Sequence, residues 1–211
     1  MTSVSGVLLA AGESRRMGEV NKLALPVAGQ PLLRRTALLL MKLPLRELIV
    51  VTGHDAGTTH SLLAGLPVQT VHNAHFRDGQ MSSVHAGLGA LRVSSDAVLV
   101  CLADLPLLEL DDLQRLIGAY REGETSVLVP MHRGQRGNPI LLANQQREQI
   151  LAGNRNLGCK RLIQNNPDMV TAVEMDNDHT VFDLDTPAAY CRLQARLAMP
   201  NATQAYQHSW G

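Results

Sequence analysis

Residues 6–22 read GVLLAAGESRRMGEVNK. The run opens as an apolar strand over Val7–Leu9 and breaks at Gly12. Arg15, Arg16, a second glycine and Lys22 then follow within one short loop. A strand needs no such ending. Ala10, Ala11 and Gly12 carry little or no side chain, so the backbone can approach a ligand closely with its amides as donors. Arg15, Arg16 and Lys22 add fixed positive charge, and amides with local cations suit a polyphosphate. The loop is not a P-loop, since it lacks the Gly-Lys-Ser/Thr ending. It is not a dinucleotide fingerprint either, since GxGxxG is absent. The competing interpretation is an ordinary strand-to-helix turn with solvated arginines.

Outward from this loop, short apolar runs alternate with helical patterns. Strands are predicted at Leu48–Val51, Val68–Val71 and Ala97–Leu102, and helices at Leu32–Leu43, Ser82–Leu91 and Asp111–Tyr120. Asp55 is placed to cap a further helix that runs to Leu63. The alternation predicts an α/β fold: a mostly parallel sheet with helices on both faces. Strands buried on both faces are apolar throughout, as these are. Ala86, Gly87 and Gly89 suit close helix packing. Past residue 126 the pattern is less regular. Strands are expected at Val127–Val129, Val170–Val173 and Val181–Phe182, and Thr186-Pro187 can start a last helix to about Leu197. One domain over residues 1–198 and a loose tail over 199–211 follow.

Composition narrows the function. The chain has 211 residues, 19 Lys plus Arg against 19 Asp plus Glu, and 3% aromatics. A neutral chain poor in aromatics offers neither a bulk field nor stacking platforms for nucleic acid. Cys101, Cys159 and Cys191 are odd in number and widely spaced, which argues for a reducing compartment and against a zinc site or disulfide framework. No signal peptide and no membrane-length apolar run is visible, so a cytoplasmic location without membrane contact is expected.

In sheets of this kind, ligands sit beyond the carboxyl ends of the strands. Asn73 and the Gly79–Ser83 turn can present amides and a carbonyl to a base or ribose. His54, His72 and His75 show no metal-ligand spacing and are taken as loop histidines. Asp104, in LADLP, emerges from an apolar strand, where a carboxylate can ligate Mg²⁺. Asp183 and Asp185, in FDLDTP, alternate and so face the same way if that segment is a strand. The plain alternative for each aspartate is a cap or a turn.

The ordered series LLAAGESRRMGEVNKLALPVAGQPLL, VVTGHD, GQMSSVHAGL, CLADLPLL, RGNPILL and FDLDTPAAY resembles the molybdopterin-type nucleotidyltransferases, and among them the molybdenum cofactor cytidylyltransferases. The resemblance covers roughly residues 5 to 195. It implies a Rossmann-like fold and transfer of a nucleoside monophosphate from an NTP to a phosphorylated acceptor, with pyrophosphate released. On that resemblance, Ala10, Ala11 and Gly12 form the nucleotide loop, and Arg16 and Lys22 contact the triphosphate. Asp104 is the principal Mg²⁺ ligand and Asp185 a second metal-side carboxylate. Asn73 and Ser82 contact base and ribose. It also implies CTP, a molybdopterin-type acceptor and a molybdoenzyme recipient.

LAAG here replaces the LAGG of guanylyl-transferring relatives, and the extra methyl of Ala11 is expected to favour the smaller cytosine. The family's GDxGAR segment reads RNLGCKR, with Asn156 for Asp and Lys160 for Arg. The acceptor can therefore differ from the usual one. Arg133, Arg136, Arg155, Lys160 and Arg161 form a basic group in the second half, from which Arg136 is expected to hold the acceptor phosphate. The alternatives are the same chemistry with GTP or another phosphorylated acceptor, and a non-catalytic cofactor carrier. Retention of Asp104, Asp185, Arg16 and Lys22 speaks against the carrier.

Overall fold

The computed structural model describes residues 2–18, 20–121, 123–153 and 167–198. Along them run β1 (Val4–Ala10), β2 (Pro26–Val27), β3 (Gln30–Pro31), α1 (Leu32–Leu40), β4 (Leu48–Thr52) and α2 (Ala56–Leu63). β5 (Gln69–His72), α3 (Gln80–Ala90), β6 (Ala97–Leu102), α4 (Leu110–Gly118) and β7 (Val127–His132) follow. The chain then forms β8 (Gln135–Arg136), β9 (Ile140–Ala143), α5 (Asn144–Leu151), β10 (Val170–Glu174) and α6 (Pro187–Ala198).

The main sheet has the strand order β10-β7-β9-β6-β1-β4-β5, with β8 paired to the end of β7. Pairing is parallel except where β9 meets β6 and β7 and where β8 meets β7. The carboxyl ends of β1, β4, β5, β6 and β7 therefore share one edge.

All seven residues of β1 are buried, and they serve two cores in turn. Val4, Leu8 and Ala10 pack with Leu33, Ala37, Leu40, Leu113 and Leu116 of α1 and α4. Val7, Leu9 and Ala11 pack on the opposite face with Val84 and Leu88 of α3 and Ile150 of α5. Strict alternation between two apolar layers is why the strand shows no polar face. A Cβ on Gly87 would stand 2.4 Å from Val7 Cγ1 and 2.8 Å from Val51 Cγ2, so α3 lies close on β1 and β4 only because Gly87 has no side chain. Gly89 meets nothing nearer than Leu151 at 3.7 Å and is not needed for that approach.

A third, smaller core joins Val27 of β2, Leu32 of α1, Leu107, Leu184, and Ala189 and Leu193 of α6. It fastens the end of the described chain to the segment that follows Lys22. Tyr190 Oη donates to the Pro26 carbonyl at 3.1 Å, and Leu184 N donates to the Asp104 carbonyl at 2.9 Å.

Two expectations need correction, and one helix is new. Val181–Phe182 is not a strand: both amides donate back to the Asp178 carbonyl, at 3.1 and 3.0 Å, and close a turn. The helix expected to reach Leu43 ends at Leu40, after which Lys42 N and Leu43 N make tighter i to i−3 bonds ahead of Pro44. α5 was not foreseen, because its polar sequence NQQREQIL buries only Gln146 and Ile150. The tail and the RNLGCKR segment, with Arg155, Asn156, Lys160 and Arg161, lie outside the described residues. No helix among the described residues is long and apolar enough to cross a membrane.

Candidate functional site

A cleft of about 580 Å³ opens at the carboxyl edge of the sheet. Its floor is the end of β1 and the loop after it, Ala10 to Arg16. Lys22, Asp104, Asp183 and Asp185 form one wall, and Phe76, Arg77, Gly79, Gln80 and Ser83 another. The second wall includes the amino end of α3, where free backbone N–H groups and the helix dipole favour an anion or a carbonyl.

The acidic wall comes together from three distant parts of the chain. Asp104 follows β6, and its neighbour Ala103 is fixed by an amide bond to the Leu9 carbonyl at 3.1 Å. Arg35 of α1 braces the same loop through Nε on the Pro106 carbonyl at 3.3 Å. Leu184 is fully buried in the third core, so its neighbours Asp183 and Asp185 turn outward into the cleft. The outcome of the sequence argument thus stands while its reason changes. The two aspartates share a direction because Leu184 is anchored between them, not because they lie on a strand.

Lys22 is set by a short 3₁₀ turn, Lys22–Ala24. Asn21 caps this turn by accepting from Leu23 N at 3.0 Å, and donates its own amide to Asp55 Oδ2 at 2.9 Å. Ser14, in the left-handed region at φ 53°, accepts from Lys22 N at 3.3 Å. Lys22 Nζ then lies 2.6 Å from both Asp104 Oδ2 and Asp185 Oδ1. Arg16 donates to Asp185 Oδ2.

Burial alone would lower the Lys22 ammonium, but the Asp104 carboxylate and the hydrogen bonds to both aspartates outweigh it and hold the pKa above its ordinary value. Burial pushes Asp185 up, yet the Lys22 bond and charge, a bond to Asp183 and the Arg16 charge keep it below the usual carboxylate value. Asp183 is raised by burial, by its bond to Asp185 and by the charges of Asp185 and Asp104. Within this pair, a proton therefore resides preferentially on Asp183.

Of the residues expected at the site, Ala10, Ala11, Gly12, Arg16, Lys22, Asp104 and Asp185 all line the cleft. Asn73 and Ser82 do not. Asn73 is buried, and its amide donates to Ser82 Oγ at 2.8 Å and Ser83 Oγ at 3.0 Å. Its carbonyl oxygen accepts from His75 N at 2.9 Å. Asn73 is thus occupied in shaping the Phe76–Ser83 wall, and Ser83 rather than Ser82 faces the cleft.

Ala11 lines the cleft but is almost fully buried, with 5% of its surface exposed. It packs into a core cluster, and a Cβ on Gly53 would meet Ala11 Cβ at 2.7 Å and its carbonyl oxygen at 2.6 Å. Arg136 lies on β8, outside the cleft lining but at the same edge of the sheet. The following Gly137 and Asn138 donate to the carbonyls of Pro130 and Thr180, each at 2.8 Å. Arg133 N donates to Glu174 Oε1 at 3.1 Å.

Asn21 and Ser14 escaped the sequence reading, although an asparagine directly before a turn that carries a lysine is a capping signal. Phe76 and Arg77 escaped it too, since an isolated aromatic and a loop arginine carry no pattern.

Among the described residues, no group of three or more His, Cys, Asp or Glu side chains is arranged to hold a metal by itself. Asp104 Oδ1 is nevertheless buried and without a hydrogen-bond partner. Two carboxylates completed by phosphate oxygens are a donor set suited to Mg²⁺ or Mn²⁺.

Comparison with known proteins places the chain in a family. The nicotine blue oxidoreductase of Paenarthrobacter nicotinovorans is 27% identical over 196 residues, covering 90% of this chain and 96% of that protein. The bifunctional protein GlmU of Burkholderia multivorans is 35% identical over 125 residues, which are 58% of this chain but only 27% of GlmU. The crystal structure of Rv0371c from Mycobacterium tuberculosis superposes with a TM-score of 0.79 at 23% identity, over 92% of this chain and 98% of that one. Rv0371c has also been solved in complex with manganese, and that structure superposes with a TM-score of 0.75 at 21% identity, over 91% of this chain and 98% of that one. The MobA-like NTP transferase domain matches residues 6–170, and the chain belongs to that family.

Proposed function

We propose that this NTP transferase moves CMP from CTP to a molybdopterin-type acceptor phosphate with the help of Mg²⁺. The observation that carries the transferase reading is Lys22, held between Asp104 and Asp185 beneath the Ala10–Arg16 loop. Cations and carboxylates on one wall suit a metal-bound polyphosphate. Asp104 and Asp185 would hold the metal, and when bound it would draw charge from the phosphates.

An oxygen of the acceptor phosphate forms a new bond to the α-phosphorus. The bond from that phosphorus to the bridging oxygen breaks, and pyrophosphate leaves with the electron pair. Both partners are anionic, so the protein's task is alignment and charge neutralisation. The amides after β1 cradle the triphosphate. Arg16 and Lys22 are within reach of it and stabilise the leaving pyrophosphate. Arg136 is assigned to the acceptor phosphate on its position at the same sheet edge and on the bidentate geometry of guanidinium.

The sequence similarity to an oxidoreductase favours one rival reading, in which the same cleft holds a nicotinamide dinucleotide. Hydride transfer makes no use of a lysine-bridged carboxylate pair, which is why the transferase is preferred. Pyrophosphate release, measured across four NTPs with and without molybdopterin, tests the proposal. The expected result is release that requires the acceptor and is fastest with CTP. No release with any pair, together with hydride transfer from NADH or NADPH to an added two-electron acceptor, would establish the rival.

A further inference from the structure

We propose that Lys22 is an internal counter-ion which makes cation binding in the cleft depend on an anionic nucleotide. The proposal rests on the metal-dependent transferase reading above. Asp104 and Asp185 have four carboxylate oxygens between them, and Lys22 and Arg16 take three of these: Asp104 Oδ2, Asp185 Oδ1 and Asp185 Oδ2. The fourth, Asp104 Oδ1, is buried without a hydrogen-bond partner.

A divalent ion bridging the two carboxylates would lie within a few ångströms of the ammonium that now bridges them. Two cations cannot share those oxygens at such range without strong repulsion. Lys22 is largely buried at this position, with its side chain 13% exposed, so it does not simply swing into water. A triphosphate on the Ala10–Arg16 loop offers it another anion. Lys22 then moves from carboxylate to phosphate, and the carboxylates become free for the metal. By reciprocity, metal and nucleotide raise each other's affinity by the same factor.

The test is a titration of the nucleotide-free full chain with Mn²⁺ alone, followed by the electron paramagnetic resonance of the free ion. Lys22→Met should bind Mn²⁺ at least about tenfold more tightly than wild type, the equivalent of roughly 1.4 kcal/mol. Arg15→Ala removes a nearby cleft cation that pairs with Glu13 and touches neither aspartate, and should change affinity less than about twofold. Adding Asp104→Asn to Lys22→Met should abolish the gain. If Lys22→Met fails to fold by circular dichroism, Lys22→Gln takes its place with the same expectation.

An unchanged Mn²⁺ affinity, or an equal gain in Arg15→Ala, overturns the proposal. Turnover of the wild type is followed in parallel. A Mn²⁺ gain in Lys22→Met, with no pyrophosphate released by the wild type from any NTP with molybdopterin present, would refute the transferase reading and leave the counter-ion role standing.

Discussion

At the scale of single residues the proposed chemistry rests on Asp104 and Lys22, which meet at 2.6 Å in the cleft. Asp104→Asn keeps the shape but removes a charge from the acidic wall, and should cost several kcal/mol of transition-state stabilisation, on the order of a thousandfold in kcat. Near-wild-type turnover at saturating Mg²⁺ would remove Asp104 from the metal site. Lys22→Ala should lower kcat/KM for the NTP by much more than about threefold, roughly 0.6 kcal/mol. Its thermal midpoint should fall far less, because the turn that positions it is held by Asn21 and Ser14 rather than by the ammonium. Ala11→Gly gives the opposite kind of result. The Ala11 methyl faces Gly53 and the core, so the preference between CTP and GTP should stay within about twofold, as read from competing NTPs. That residue shows a limit of reading side by side with relatives. The identity of a loop residue is visible in a sequence, but the side to which its Cβ turns is set by a neighbour some forty positions away.

The elements show the same division between what periodicity reveals and what packing decides. The apolar strands were legible because both faces of β1, β4 and β6 meet apolar layers, so every residue had to be apolar. The conformation of the segment from Asp176 to Asp185 was not legible, although its two cleft aspartates were, since side chains and a turn rather than a ladder hold it. Asp178 pairs with Arg196 at 2.7 Å, Arg115 pairs with Asp176, and His179 Nδ1 lies 2.9 Å from Asp112 Oδ2. The deepest anchor is Leu184, and Leu184→Ala should cost about 2–5 kcal/mol and loosen both cleft aspartates. A lower thermal midpoint with unchanged kcat would show that the aspartates are placed by something else.

The His179–Asp112 pair predicts a pH dependence of stability. The Asp112 bond and charge outweigh burial and raise His179 above its ordinary 6.5, so its contribution is complete below that value and is lost as pH rises through the raised one. For Asp112, burial is overcome by the bonds from His179, Glu109 N and Asn177, and its pKa falls below the ordinary 3.8. Its contribution is therefore present above that value and lost as pH falls through the lowered one. Wild type should lose stability to urea as pH rises above the ordinary histidine value of 6.5 and through the raised one, while His179→Gln should lose less over the same range. Parallel curves for the two proteins would show that the pair has no such linkage.

For the whole molecule, the sheet order brings the loop after β1, the end of β6 and the Leu184 segment to one edge, and the third core closes them around the cleft. The parallel α/β plan and the cleft-lining loop after β1 could be read from the chain because each is local. The cleft is not local: Arg16 and Asp185 are 169 positions apart, and only the fold joins them. A transferase built this way must deliver the nucleotide's α-phosphate to a second substrate and not to water or to a redox partner. The most direct measurement follows CTP labelled on that phosphate through one turnover with molybdopterin. The expected result is one label in the acceptor for each pyrophosphate released, abolished by Asp104→Asn. Label found only in free CMP, or left in CTP, would contradict nucleotidyl transfer in this cleft.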